Sequence, residues 1–222
     1  MDEAYRLATM LLNYDPNATV WQQFGRYVSG LVKGDFGTSM YRNDVTVTVI
    51  IKNFLPWTLF ISSLALLLSF LVGILMGGRM AYKRKGFFNA GANSFIVVSG
   101  AVPDYLWGMI LIFIFGVTLR WFPIQGNYDI LLELKGWPFI TNVLYHAFLP
   151  IIAFSIVQIG GWALAMRGSA LGVLGEDYIY AAKARGLSER TIVSRYLRKN
   201  SLLPLITSLA MSFAVLFGGS PL

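Results

Sequence analysis

Cysteine is absent from this sequence of 222 residues, histidine occurs once, and charged residues make up only 13% of the positions. Without cysteine the chain forms no disulfide, no thiolate nucleophile and no cysteine-ligated metal site. The one histidine, His146, has no second histidine with which to share a metal ion. We therefore expect no catalytic residue, no metal site and no cofactor in this chain.

Charge is scarce because apolar residues account for 56% of the sequence, well above their share in soluble domains. We therefore expect an all-α integral membrane protein, since apolar runs cross a bilayer as helices. A net charge of +7 also occurs in nucleic-acid-binding proteins, but here the basic residues gather in two loops, 79–85 and 167–200, between apolar runs. This pattern is typical of cytoplasmic loops that face anionic lipid, so membrane lipid and not nucleic acid is the expected contact.

Four apolar runs are long enough to span a bilayer, at about 54–78, 87–119, 145–166 and 201–219. The first has 25 residues without a charge, more than the roughly 20 that a spanning helix needs. Four basic residues follow it within 79–85, which predicts a cytoplasmic loop. The segment 120–141 contains two tryptophans and only two basic residues, and is expected to lie outside.

The second apolar run is too long for one straight crossing and contains Pro103 followed by Asp104. Proline lacks a backbone donor and clashes with the preceding turn, so a kink or break is predicted at Pro103. Asp104 is the only charged residue within an apolar run, and a carboxylate at membrane depth requires water or a partner. Two compatible interpretations stay open: Asp104 faces a translocation path, or it caps the helix that begins after the break.

Residues 1–53 are polar and mixed, and are expected to form an extracytoplasmic segment ahead of a transmembrane domain at 54–222. Apolar residues recur at helical spacing from Phe24 to Leu31, and Gly34 and Gly37 then favour a turn. This pattern predicts a short interfacial helix and a tight loop. Nothing in residues 1–54 would carry them across the membrane, which predicts a further spanning helix before Met1.

A charged amphipathic segment, 176–204, lies between the last two apolar runs. Three alanines within 181–184 favour a helix, and Gly186 can supply the left-handed residue that ends it. Ser188 is placed to cap a second helix with Glu189 in its first turn. The pattern predicts two short helices that lie on the membrane and dock another protein. The alternative is a plain basic cytoplasmic loop.

The string Tyr180-Ala181-Ala182-Lys183-Ala184-Arg185-Gly186, with Leu203-Pro204 after it, resembles the loop by which permease subunits of ABC importers hold their ATPase subunits. The wider string from Asp177 to Arg190 is similar to the version in the dipeptide, oligopeptide and nickel group. The acidic residue of the general motif corresponds to Tyr180, and neither Glu176 nor Asp177 occupies its position. The resemblance implies an ATPase-docking role for Glu176, Asp177, Tyr180, Ala181, Ala182, Lys183, Ala184, Arg185, Gly186, Leu187 and Ser188.

Two further strings are similar to the same group. Gly34-Asp35-Phe36-Gly37-Thr38-Ser39 resembles a string that precedes a membrane helix in the peptide permeases. Pro103 and Asp104 match a proline-containing break followed by an acidic or hydroxyl residue, which implies a place on the translocation path. The resemblance covers residues from about 20 to 220.

The resemblance implies a type I ABC importer permease in a prokaryotic inner membrane, with four spans here of an expected six. Its partners would be a second permease subunit, two cytoplasmic ATPase subunits that hold ATP and magnesium, and an extracytoplasmic solute-binding protein. The permease itself would not be an enzyme. The transported solute would be a peptide, with oligosaccharides and nickel in the same group; the spans contain no histidine or methionine cluster to favour nickel.

Two other functions are compatible with an apolar helical chain. A secondary transporter often shows inverted repeats with paired broken helices, whereas only one broken run is found here. A membrane enzyme requires a cluster of His, Asp or Glu at membrane depth, and Asp104 stands alone there.

Overall fold

The structure is a computed structural model that describes residues 18–39, 45–82 and 85–217. It comprises two units, Met1–Thr58 and Leu59–Leu222. Regular structure in the described residues is helical, and strand pairing there is limited to one bridge, between Thr38 and Thr46. The α-helices are α1 (Val20–Val32), α2 (Val47–Tyr82), α3 (Phe87–Ala101), α4 (Asp104–Leu111), α5 (Trp137–Leu174), α6 (Asp177–Ala184), α7 (Glu189–Thr191) and α8 (Arg198–Phe217). A 3-10 turn at Ile130–Leu132 and π-helical turns at Ile112–Thr118 and Ile192–Leu197 complete the set.

In the first unit, local hydrogen bonds fix both ends of α1. Thr19 and Gln22 form a capping box, in which each side chain accepts a hydrogen bond from the other residue's backbone N–H, at 3.4 and 3.0 Å. The chain turns after the helix because Gly34 and Gly37 both adopt φ 77°. The backbone N–H of Gly37 also donates to the Asp35 carboxylate at 2.9 Å. The helix and the tight loop are present as predicted, and the interfacial position of the helix stays a prediction.

Three continuous helices of the described chain are long and apolar enough to cross a membrane: Val47–Tyr82, Trp137–Leu174 and Glu189–Leu216. A fourth candidate is broken, since Phe87–Ala101 and Asp104–Thr118 meet at an angle of 102°. This composition and length suit helices in a bilayer, where every backbone group must be satisfied within the segment. The all-α membrane fold expected from the sequence is confirmed.

The helices extend beyond the apolar runs from which they were predicted. α5 continues past Met166 as far as Leu174, so Arg167 lies on a helix. At the other end, α7, the π-helical turn and α8 form one helix from Glu189, with no loop before Ser201. Within 167–200 the part outside these two helices is therefore only 175–188. The extension has a local cause, since no glycine or proline occurs between Glu189 and Ser201 to end the helix.

In the second unit, α2 and α5 approach closely through small residues. Gly73 and Gly77 are four positions apart on α2, and a Cβ on Gly77 would overlap the backbone of Ala163. Such small-residue pairs allow membrane helices to pack backbone to backbone. A buried hydrogen bond joins the same helices, donated by the Ser155 hydroxyl to the Ala65 carbonyl at 3.1 Å. These contacts identify α2 and α5 as a tightly packed pair.

The third long helix packs against this pair through two apolar clusters. Phe70, Met166 and Leu205 form one, and each comes from a different long helix. Ala81, Ala170 and Leu197 form the other, with Val173 and Val193 packed against it. The Ser169 hydroxyl adds a hydrogen bond to the Ser201 carbonyl at 2.9 Å.

Candidate functional site

The segment Glu176–Ser188, called the docking segment after the role that the sequence predicts for it, consists of helix α6 and the turn that follows it. α6 begins at Asp177, which places an acidic residue in its first turn, and Lys183 lies in its last turn. Both charges are favourable to the helix dipole. The helix ends in a Schellman motif: the Gly186 N–H donates to the Lys183 carbonyl at 2.9 Å and the Leu187 N–H donates to the Ala182 carbonyl at 3.2 Å. Gly186 has φ 71°, so its predicted left-handed conformation is confirmed.

The next helix starts where the sequence predicts. Ser188 is its N-cap, and its hydroxyl accepts a hydrogen bond from the Thr191 N–H at 3.3 Å. Glu189 occupies the first turn of α7. Because α6 and α7 are both fixed by caps, the turn between them has a defined geometry.

One face of α6 is fully buried against the rest of the bundle. Ile179 is 0% exposed and forms a cluster with Ala182 and Ile192. Val173, at the end of α5, and Tyr196 pack against that cluster. α6 is thereby attached to the end of one long helix and the beginning of another.

The opposite face of α6 is open. Tyr180 is 59% exposed, and the Lys183 ammonium lies 5.9 Å from the centre of its ring. Of the eleven residues expected to dock an ATPase, nine are exposed: Glu176, Asp177, Tyr180, Ala181, Lys183, Ala184, Arg185, Gly186 and Ser188. Ala182 is buried and Leu187 is half-buried, so these two hold the segment in place and do not form its outer surface.

Tyrosine side chains make three contacts in this region that are not evident from the sequence. The rings of Tyr178 and Tyr196 stack with centroids 6.5 Å apart. The Tyr178 hydroxyl accepts a hydrogen bond from the Asn200 side chain at 3.3 Å. On the other side, the Tyr82 hydroxyl donates to the Glu189 carboxylate. Each contact joins two elements that are distant in the chain, so the helical periodicity of the sequence does not predict it.

The break near Pro103 separates α3 from α4. Val102 is extended, with φ −102° and ψ 124°, and Pro103 is the N-cap of α4. Asp104 is the first residue of α4, and its carboxylate accepts a hydrogen bond from the Tyr105 N–H at 2.8 Å. The interpretation of Asp104 as the capping residue is therefore wrong in position, because proline takes the cap and fixes the extended backbone. Asp104 still favours the helix by placing negative charge in its first turn.

Asp104 also lines a cavity of about 360 Å³ between α4 and α5. Apart from Asp104 and Tyr105, its lining is apolar and glycine: Gly108, Ile112, Leu149, Pro150, Ala153 and Phe154. Asp104 is half-buried. The structure thus places Asp104, the residue after Pro103, beside a cavity, well apart in sequence from the docking segment. The described residues contain no group of three or more His, Cys, Asp or Glu that could hold a metal ion.

Comparison with known proteins identifies the family of this architecture. The family described as "Binding-protein-dependent transport system inner membrane component" matches residues 69–222. The probable peptide ABC transporter permease protein y4tP of Sinorhizobium fredii is 32% identical over 197 residues, which are 89% of this chain and 61% of that protein.

Two further relatives carry similar descriptions. The oligopeptide transport system permease protein AppB of Bacillus subtilis is 29% identical over 93% of this chain and 64% of that protein. The di/tripeptide transport system permease protein DppB of Pseudomonas aeruginosa is 30% identical over 91% of this chain and 64% of that protein. The chain spans less than two thirds of the length of these relatives. Because the family match covers more than half of the chain, the protein belongs to the binding-protein-dependent transport system inner membrane components.

Proposed function

We propose that this chain is a membrane-spanning subunit of an ATP-driven importer that passes a peptide-like solute from a binding protein into the cytoplasm. The proposal is supported by the family membership and by the peptide permeases among its relatives. Oligosaccharides are the alternative class of solute. The partners are a second permease subunit, two cytoplasmic ATPase subunits and an extracytoplasmic solute-binding protein.

One observation carries the docking role: α6 is buried on one face and open on the other. Ile179 and Ala182 fix the helix to the bundle, while Tyr180, Lys183 and Arg185 stay exposed. A plain loop has no need of a buried anchor together with a Schellman motif and a serine cap at the turn. We assign the exposed face to contact with the ATPase. ATP and magnesium are held by the ATPase and not by this chain.

Force reaches the spans through the buried side of the same helix. Val173 belongs to α5, and Ile192 belongs to the helix that continues as α8, so the cluster around Ile179 touches both. Movement of α6 by two closing ATPases would therefore displace both long helices as a rigid body. Such a shift requires the docking segment to bind the ATPase differently in the two states.

Pro103 and Asp104 are assigned to the translocation path. The break at Pro103 bends the candidate span by 102°, and Asp104 is half-buried beside a cavity. A carboxylate facing lipid would be protonated or expelled, whereas a cavity that fills with water during transport keeps it solvated. The extracytoplasmic position of residues 1–53 follows from the same orientation of the chain.

The function is tested by reconstituting the full transporter with its binding protein in proteoliposomes. Uptake of a labelled peptide should require ATP, the binding protein and this subunit together. Uptake that follows an ion gradient without ATP would contradict the proposal and favour a secondary transporter.

A further inference from the structure

A groove on the second unit lies between α2 and the helix Glu189–Leu216. Its volume is about 350 Å³, and Met166 of α5 contributes to its lining. Tyr82 lines it as well, and most of the rest of the wall is formed by apolar side chains and one glycine: Ile74, Leu75, Gly78, Val193 and Leu197. Among the described residues, none that lines the groove is acidic. The groove is therefore suited to hydrocarbon.

Two arginines, Arg79 and Arg198, also line this groove, one on each of the helices that flank it. Both are exposed, and neither has an ion pair within the part of the chain that the structure describes. The Arg79 guanidinium lies over the Phe88 ring at 4.5 Å, which holds it in place without neutralising it. Glu189 lines a neighbouring cleft, and its carboxylate accepts a hydrogen bond from Tyr82, which lines both that cleft and this groove. Among the described residues that line the groove, two are positively charged and none is negatively charged.

The residues that line the groove come from both sides of the boundary between charged and apolar stretches of the sequence. Arg79 is the first charge after the uncharged run 54–78, and Ile74 and Leu75 lie inside that run. Arg198 lies just before the apolar part of α8. Cations at the polar boundary beside an apolar wall match a molecule with an anionic head and a hydrocarbon chain.

We propose that the groove binds an anionic phospholipid, with its phosphate between Arg79 and Arg198 and an acyl chain against Leu75, Met166 and Val193. A protein segment is a poorer occupant, because its backbone polar groups would meet an apolar wall without partners. The bound lipid would join α2 to the helix that continues from the docking segment. This inference does not depend on which solute is transported.

The test measures retention of phosphatidylglycerol by the purified full transporter, using native mass spectrometry after delipidation, with phosphatidylcholine for comparison. The double variant Arg79→Ala/Arg198→Ala should lose affinity for phosphatidylglycerol by roughly 25-fold, about fivefold for each arginine. The matched control Arg195→Ala/Lys199→Ala removes two exposed charges of the helix that carries Arg198. Neither residue lines the groove, so this variant should retain the lipid. Equal retention by both double variants, or none by the unaltered protein, would overturn the proposal.

A second variant keeps the charges and obstructs the chain. Gly78→Leu directs a side chain toward Met166, whose methyl carbon lies 3.4 Å from a Cβ at position 78, and should also reduce retention. Inorganic phosphate should not compete, since it lacks the acyl chain; full competition would show a phosphate site and contradict the lipid assignment. A photo-crosslinker at Leu75 should capture lipid, and capture of a protein subunit there would equally contradict it.

Discussion

Ile179, in the middle of α6, is completely buried against Ile192, which lies in the helix that continues to Phe217. This contact makes the docking segment part of the bundle and not an appendage. It is also the contact through which we propose that a partner bound to the exposed face acts on the spans.

Replacement of Ile179 by alanine should uncouple docking from transport. Deleting the side chain at a fully buried site typically costs about 2–5 kcal/mol, so α6 would be held less firmly. We expect the ATPase still to co-purify, while solute-stimulated ATP hydrolysis in proteoliposomes falls severalfold. The control Ile206→Ala alters an exposed residue of α8 and should leave both measurements unchanged. Normal stimulation in Ile179→Ala would show that this contact does not transmit force.

Gly186→Val should weaken ATPase binding because valine resists the φ of 71° found there. The left-handed conformation costs a non-glycine residue about 1–2 kcal/mol, so the end of α6 should distort. Co-purification of the ATPase should decrease while membrane insertion stays normal. Gly168→Val is the matched control, since Gly168 lies within a helix and its added Cβ would meet nothing within 4 Å. Equal ATPase recovery for both variants would count against the role of the turn.

The turn at the C-terminal end of the docking segment was predictable because its causes are local. Gly186 and Ser188 act through their own backbone and side chain, and Pro103 breaks the helix as proline should. Yet Pro150 and Pro204 lie inside continuous helices. The residues next to them in the sequence do not show why these two prolines are tolerated while the helix breaks at Pro103. Tertiary packing decides which prolines a helix tolerates, so the breaks need the structure.

The sequence did not show which residues of the docking segment are exposed and which are buried. Tyr180 and Ala182 lie in one short motif, but the first is exposed and the second is buried. Which face of α6 turns inward depends on Val173 and Ile192, which belong to other helices. The continuity of the helix across Ser201 was also missed, because the change in hydropathy there resembled an element boundary.

Gly77→Leu should destabilise the pair α2 and α5. A Cβ at this position would overlap the carbonyl oxygen of Ala163, and backbone atoms cannot move aside as a side-chain tip can. Overpacking of this kind typically costs about 1–3 kcal/mol. The unfolding temperature in detergent should fall, whereas Gly161→Leu, where an added Cβ meets nothing within 4 Å, should change it little. An unchanged unfolding temperature for Gly77→Leu would contradict the close approach of these helices.

Asp104 should become accessible to water-soluble reagents in a state-dependent way. The 222 residues contain no cysteine, so Asp104→Cys introduces one thiol into this part of the protein. If the residue lines the translocation path, its labelling rate should change when ATP and vanadate trap the transporter. Asp104→Asn keeps the size without the charge and should reduce transport more than stability. A thiol that is unreactive in every state would remove Asp104 from the path.

Photo-crosslinking in the assembled transporter shows whether the exposed face of α6 binds the ATPase. A crosslinking amino acid at Tyr180 should capture the ATPase subunit. The same amino acid at Leu131, which is 92% exposed in the segment predicted to lie outside, should not. Capture of the ATPase from Leu131, or its absence from Tyr180, Lys183 and Arg185 alike, would contradict the account.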